Sequence, residues 1–175
     1  MIWQRELENL IHTSIISMVN HISLTNWWGR EREVISLYAF GFLAPRCKAG
    51  SILHHPTQIA VEVAVPQIPG VRRKALVCKD LVLWREAYST CWNKRRQPLH
   101  VPMAILEWKT GTDKNSGYDE AWLTEYSERN KDFVGYSVAM IAQGSATRVS
   151  VSKAGRGVIE KCWLKYETSQ ASDHA

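Results

Sequence analysis

Paired cysteine motifs are missing from this 175-residue chain. Its four cysteines, Cys47, Cys78, Cys91 and Cys162, are scattered, with no CxxC and no tight framework. That pattern argues against a zinc site or a disulfide scaffold and makes a reducing, cytoplasmic setting the expectation. Long apolar runs are absent as well, and no stretch approaches the roughly 18 residues that a membrane span requires. The opening segment MIWQRELENLIHTSIISMVN is partly apolar. However, Arg5, Glu6 and Glu8 precede its apolar part, His12 interrupts it, and no small-residue cleavage site follows. It reads as an amphipathic helix and not as a signal peptide. There is no internal repeat and no low-complexity block. The stretch GSATRVSVSKAGRG lacks the glycine fingerprint and following Lys-Ser/Thr of a phosphate loop. No helix-turn-helix or zinc finger is appended, so any preference for a nucleic-acid sequence has to come from the core's own loops.

What is present is ordinary for a globular protein: 45% apolar and 22% charged residues, in a length that fits one domain over residues 1–175. Lys and Arg number 22 against 17 Asp and Glu, a net charge of +5. This excess is compatible with a nucleic-acid partner without demonstrating one. Ile2, Leu7, Leu10, Ile11, Ile15 and Met18 predict a helix over about 2–20, as an N-terminal extension spanning 1–26. Asn26 is the expected cap of a second helix that carries Val34, Ile35, Leu37, Tyr38 and Phe42 toward Pro45. Strands are expected over 58–65, 74–84 and 101–109, then a helix over 118–130 with Trp122, Leu123 and Tyr126 inward. Segment 132–143 fits helix or strand by pattern, and its Phe, Val, Tyr and Gly135 favour strand. A hairpin around Gly155 and Gly157 closes the chain, and the tail from 167, ETSQASDHA, is expected to be disordered. This order predicts an α/β fold with a central mixed β-sheet flanked by helices.

The stretch AILEWKTG, residues 104–111, concentrates the chemistry. An apolar strand ends in Glu107 and Lys109, which alternation places on one face, and Gly111 breaks the segment. They form either an ion pair at a fraying strand end or part of a site. Asp80 interrupts the preceding strand in the same way, on a face shared with Cys78 and Val82. If the two strands are neighbours, Asp80 meets Glu107 across the ladder. Two buried carboxylates are costly apart and repel together. A divalent cation such as Mg²⁺ resolves both problems, with Lys109 beside it to orient water or stabilise negative charge. Glu31 projects from the packed face of the second helix, three, four and seven residues before Val34, Ile35 and Tyr38. Periodicity alone does not choose between Glu31 and Glu33.

An aspartate on one strand, an apolar strand ending Glu-x-Lys, and a preceding helix bearing a glutamate together resemble the PD-(D/E)XK, or restriction-endonuclease-like, nuclease superfamily. Asp80 matches the motif aspartate, Glu107 and Lys109 the E-x-K pair, and Glu31 in EREVI the helical glutamate, much as in archaeal Holliday-junction resolvases. The order of elements from about 28 to 155 follows that superfamily. Lys79 stands where the motif often has proline. Asp80 and Glu107 lie 27 residues apart, so 85–100 looks like an insertion, and Trp122 replaces the glutamine of a Gln-x-x-x-Tyr motif whose tyrosine matches Tyr126. The resemblance implies a restriction-endonuclease-like fold and a metal-dependent endonuclease hydrolysing DNA phosphodiester bonds. It implies Mg²⁺, or Mn²⁺, on Asp80, Glu107 and the Trp108 carbonyl, with Glu31 a further ligand and Lys109 positioning water. Many members act as dimers, so Trp27, Trp28 and the first helix are candidates for an interface.

Two basic clusters flank the motif strands: Arg72, Arg73 and Lys74, and Lys94, Arg95 and Arg96. Both are candidate phosphate contacts, and Trp92 is a candidate for base stacking. Glu62 reads as a solvated or paired strand residue, and the pair His54–His55 as incidental. A non-catalytic nucleic-acid-binding module on the same fold, and an interaction protein with an incidental E-x-K, are the alternative readings.

Overall fold

The computed structural model describes residues 2–68, 75–111, 116–143 and 146–168. Leu7, Ile11, Ile15, Met18 and Ile22 recur every three or four positions, and helix α1 (Ile2–Thr25) lays all five into the core. α1 ends in a Schellman arrangement. Asn26 takes φ of 50°, its N–H reaches the Ser23 carbonyl at 3.4 Å, and the Trp27 N–H reaches that of Ile22 at 3.2 Å. Asn26 therefore closes the first helix instead of capping the second, because asparagine tolerates the left-handed conformation this ending needs. Helix α2 (Glu31–Ser36) starts only after Gly29. Glu33 reaches back to accept from the Arg30 N–H at 2.7 Å, and the helix continues as a π-helical segment over Leu37–Leu43.

Six strands follow: β1 (Ile59–Pro66), β2 (Leu76–Leu83), β3 (Ala104–Thr110), then helix α3 (Ser116–Arg129), β4 (Val134–Gln143), β5 (Ala146–Gly155) and β6 (Val158–Glu167). They make one α/β sheet in chain order. All neighbours run antiparallel except β3 and β4, which are parallel and joined through α3. A parallel pair needs such a crossover, since a tight turn only reverses the chain.

α1, α2 and the π-helical segment cover one face. There Leu106, Trp108, Tyr136, Val138 and Val151 meet Ile11, Ile15, Val34 and Tyr38. α3 and the β2–β3 connection cover the other, where Val82, Ile105 and Cys91 meet Trp122, Leu123 and Phe133. β3 is buried on both sides, which explains its unbroken apolar run. α1 is thus no appendage. Its apolar face belongs to this chain's own core, and Trp27 packs there too; Trp28 is exposed, as are Ile2 and Leu24 at the two ends of α1. The tail expected to be disordered from 167 is ordered at its first two residues: Glu167 ends β6, and Thr168 exchanges hydrogen bonds with Thr147. Residues 169–175 lie outside the described residues. No helix among the described residues is long and apolar enough to cross a membrane.

Gly135 of β4 is where α3 comes closest to the sheet. A Cβ there would lie 2.8 Å from both Cβ and Cδ2 of Leu123. We expect Gly135→Ala to lower the unfolding free energy by about 1–3 kcal/mol, the usual cost of overpacking, in urea denaturation. An unchanged midpoint would show that α3 can lift without penalty.

Candidate active site

β1 and β2 keep one register throughout, with Val61 opposite Leu81 and Val63 opposite Lys79. Their faces do not stay constant. Val61 and Leu81 belong to the core under α1, whereas Val63 and Val77 pack into the core under α3. Lys79 likewise lies on the α3 side, its Nζ 3.8 Å from the ring centroid of Trp122. Both strands therefore turn over between these pairs, at Glu62 and Asp80, and Glu62 takes a φ of 53°. Simple alternation, with Cys78, Asp80 and Val82 on one face, does not hold for this strand.

The β2–β3 ladder ends at the same level. Leu81 opposite Leu106 is its last pair, and Asp80 and Glu107 come next in register without joining it. In the gap, Asp80 Oδ2 accepts the Trp108 N–H at 2.7 Å, so a carboxylate takes the donor that the ladder leaves open. Glu107 faces α3, is buried, and pairs with the equally buried Lys79. Lys109 sits one step further out, donating to the Trp108 carbonyl at 2.9 Å. Its Nζ lies 3.5 Å from Asp119 Oδ2 and 3.9 Å from Glu31 Oε1. Glu31 Oε2 in turn accepts from the Thr110 N–H at 3.4 Å.

Glu31, Asp80, Glu107 and Lys109 thus come together from three separate elements. The structure also separates the two helical carboxylates, because Glu33 is occupied at the start of α2 and Glu31 points to β3. Asp119 and Lys79 join the cluster without having been singled out by sequence. Asp119 looks like an ordinary acidic residue in the first turn of a helix. The usable signal was topological: Gly111 leads from β3 into α3, so the first turn of α3 has to stand near the end of β3. Lys79 carried a plainer signal, a lysine inside an apolar strand, which is rarely buried unless paired.

The electrostatics follow from this packing. Burial raises the Glu107 pKa to about 7; the Lys79 ammonium pulls it down, and Asp80 and Asp119 push it up. Burial works against the charge on Lys109, but Asp119, Glu31, Asp80 and Glu107 together outweigh it and hold its pKa above the ordinary value. With Glu107 ionised, four carboxylates face two ammoniums, Lys79 and Lys109, leaving a formal excess of two negative charges. The donors are hard oxygens, the ligand type Mg²⁺ and Mn²⁺ take, and a dication matches the excess. Among the described residues no three acidic, histidine or cysteine side chains already stand close enough to clasp an ion.

Lys94, Arg95 and Arg96 are exposed on a turn built by Asn93. Asn93 Oδ1 accepts from the Arg95 N–H at 2.8 Å and from the Gln97 N–H at 3.0 Å. Trp92 anchors this turn, donating from Nε1 to the Ala64 carbonyl at 2.7 Å and packing against the α3-side core. Arg72, Arg73 and Lys74 lie outside the described residues. Glu62 pairs with Arg32 at 2.6 Å, and His55 Nδ1 accepts from the Thr57 N–H at 3.2 Å, a local structural task. No family model matches this chain, and neither a curated protein nor a solved structure matches it significantly.

The raised pKa of Glu107 has a pH signature. The folded state holds its proton more tightly than the unfolded chain does. Its contribution is therefore complete below about pH 4.5 and is lost as pH rises through about 7. In chelator, we expect the urea-unfolding free energy to fall more between about pH 5 and pH 8 in the wild type than in Glu107→Gln. Equal declines would show that burial does not hold this carboxyl neutral.

Proposed function

We propose that the chain is a metal-dependent nuclease of restriction-endonuclease-like fold that hydrolyses DNA phosphodiester bonds. The observation that carries this reading is the meeting of Asp80, Glu107, Lys109 and Glu31 at the point where β2 parts from β3. Those are the residues the superfamily resemblance picks out, and Glu31, Asp80 and the Glu107–Lys109 pair lie far apart in the chain. The α-α-β-β-β-α-β order and the mixed sheet support the same reading.

Asp80, Glu107 and the Trp108 carbonyl are the ligands a divalent cation would take, with Glu31 a further one, directly or through water. Such an ion, when bound, polarises the scissile phosphate and acidifies water. Lys109 orients the attacking water and stabilises the charge that develops on the phosphate oxygens. Asp119 and Glu31 keep its ammonium protonated, so it serves as a cation and hydrogen-bond donor and not as the proton acceptor. Burial under α3 keeps solvent away from Glu107, which strengthens its pairing with the buried Lys79. The Asn93-built turn offers Lys94, Arg95 and Arg96 to the phosphate backbone.

Supercoiled plasmid with Mg²⁺ or Mn²⁺, beside EDTA and Lys109→Ala controls, tests the reading. Metal-dependent nicking that disappears in Lys109→Ala is the expected result. Binding without cleavage by the wild type would replace this reading with a non-catalytic nucleic-acid-binding module, and cleavage surviving Lys109→Ala would remove the site. For binding itself, alanine at Lys94, Arg95 and Arg96 together should flatten the log–log salt dependence of DNA affinity by about 0.9 for each phosphate no longer neutralised. An unchanged slope would take this turn out of the interface.

A further inference from the structure

Lys79 is the one charged group of the cluster that the proposed reaction leaves without a task. Its side chain is 1% exposed, deeper than that of Lys109 at 34%, so it reaches neither water nor substrate. A lysine driven that far inside needs a reason, since an unpaired buried ammonium costs several kcal/mol. Its surroundings supply one. The strand reversal at Asp80 turns it toward α3, its Nζ lies over the Trp122 ring at 3.8 Å, and it pairs with Glu107 Oε1. Trp122 is itself held, donating from Nε1 to Gln67 Oε1 at 2.6 Å and stacking on Tyr126 with centroids 4.6 Å apart. The ammonium thus stands between a fixed aromatic face and one oxygen of Glu107.

A carboxylate gripped by one oxygen presents the other in a defined direction. We infer that Lys79, seated on Trp122, is the positioning residue that clamps one oxygen of Glu107 so that the other is offered to a divalent cation. This rests on the metal-dependent reading above and assigns Lys79 the supporting role behind a metal ligand. Such partners orient the ligand without touching the metal, and removing them typically weakens metal affinity ten- to a hundredfold. The clamp also explains why a lysine is tolerated in an otherwise apolar strand: its charge is used inside the protein.

Mn²⁺ binding to the whole chain tests this by calorimetry and by the metal-induced rise in melting temperature, neither of which requires turnover. We expect Lys79→Met to weaken Mn²⁺ affinity by roughly ten- to a hundredfold and to shrink the melting shift, with Lys79→Arg recovering part of both. If Lys79→Met lowers the melting temperature in chelator but binds Mn²⁺ as the wild type does, Lys79 is a packing residue and the inference fails while the nuclease reading stands. If the wild type itself binds no Mn²⁺, both fail. Should Lys79→Met not fold, the Lys79 Cε resonance of the wild type, assigned with Lys79→Arg, gives the same decision. Movement during a Mg²⁺ titration supports the clamp, and a resonance unmoved at saturation overturns it.

Discussion

β1 and β2 turn over together at Glu62 and Asp80, and the rest of the site depends on that reversal. Had β2 kept strict alternation, Lys79 would share a face with Leu81 and point into the apolar layer under α1. Glu107, which faces α3 with Ile105, would then be buried with no cation against it, a cost of several kcal/mol. Because both strands turn over at the same level, their register survives and the sheet does not unravel. The unusual backbone falls on the edge strand, at exposed Glu62, where Arg32 of α2 pairs with its side chain. Asp80 is left in the gap between β2 and β3, where its carboxylate is available to the Trp108 N–H.

That geometry divides two lysines that composition cannot tell apart. Lys79 lies inside, paired with one carboxylate and seated on an aromatic face. Lys109 lies at the margin, among Asp119, Glu31 and a backbone carbonyl. A compact ammonium on a flexible stem suits both places, but to different ends. The inner one answers the cost of burying Glu107. The outer one keeps its proton because carboxylates surround it, and it stays partly open to solvent. Neither cancels the remaining negative charge, so the cluster as folded favours an added dication over any further anion.

Much of this is legible in the sequence, and the reason is physical. The strands and helices announce themselves through periodicity that burial enforces, and β3 can be read from its apolar run because both its faces are covered. Asp80, Glu107 and Lys109 stand out because charges are expensive in such strands. What cannot be read depends on departures from ideal geometry. Nothing in the residues around Glu62 and Asp80 signals a reversal of faces, so Lys79 reads as a replaced proline and not as a partner of Glu107. Asn26 suits the end of one helix as well as the start of another, and only the packing of α1 decides between them. Asp119 needs the path from β3 into α3, which no local pattern contains.

That path makes the height of α3 above the sheet a determinant of the site. Gly135 lets Leu123 sit directly on β4, at a distance no side chain there would allow. Leu123 follows Trp122, the platform under Lys79, and Asp119 lies three residues before Trp122, on the same side of the helix. One close approach therefore sets two positions at once: the ring that seats the inner lysine and the carboxylate that holds the outer one. Trp122 adds a lateral tie through Gln67 at the end of β1, so α3 is held against sliding as well as lifting. Raising the helix would cost the apolar contacts of Phe133 and Tyr126 at once, since a gap of about 0.5–1 Å already forfeits a quarter to a half of a dispersion contact. The charge contacts weaken more slowly with distance, yet they too would change: Lys79 would lose its aromatic seat, and Lys109 would lose one of the carboxylates around it. The same closeness of α3 to β4 thus serves the core and the cluster together, and a change that lifts the helix disturbs both.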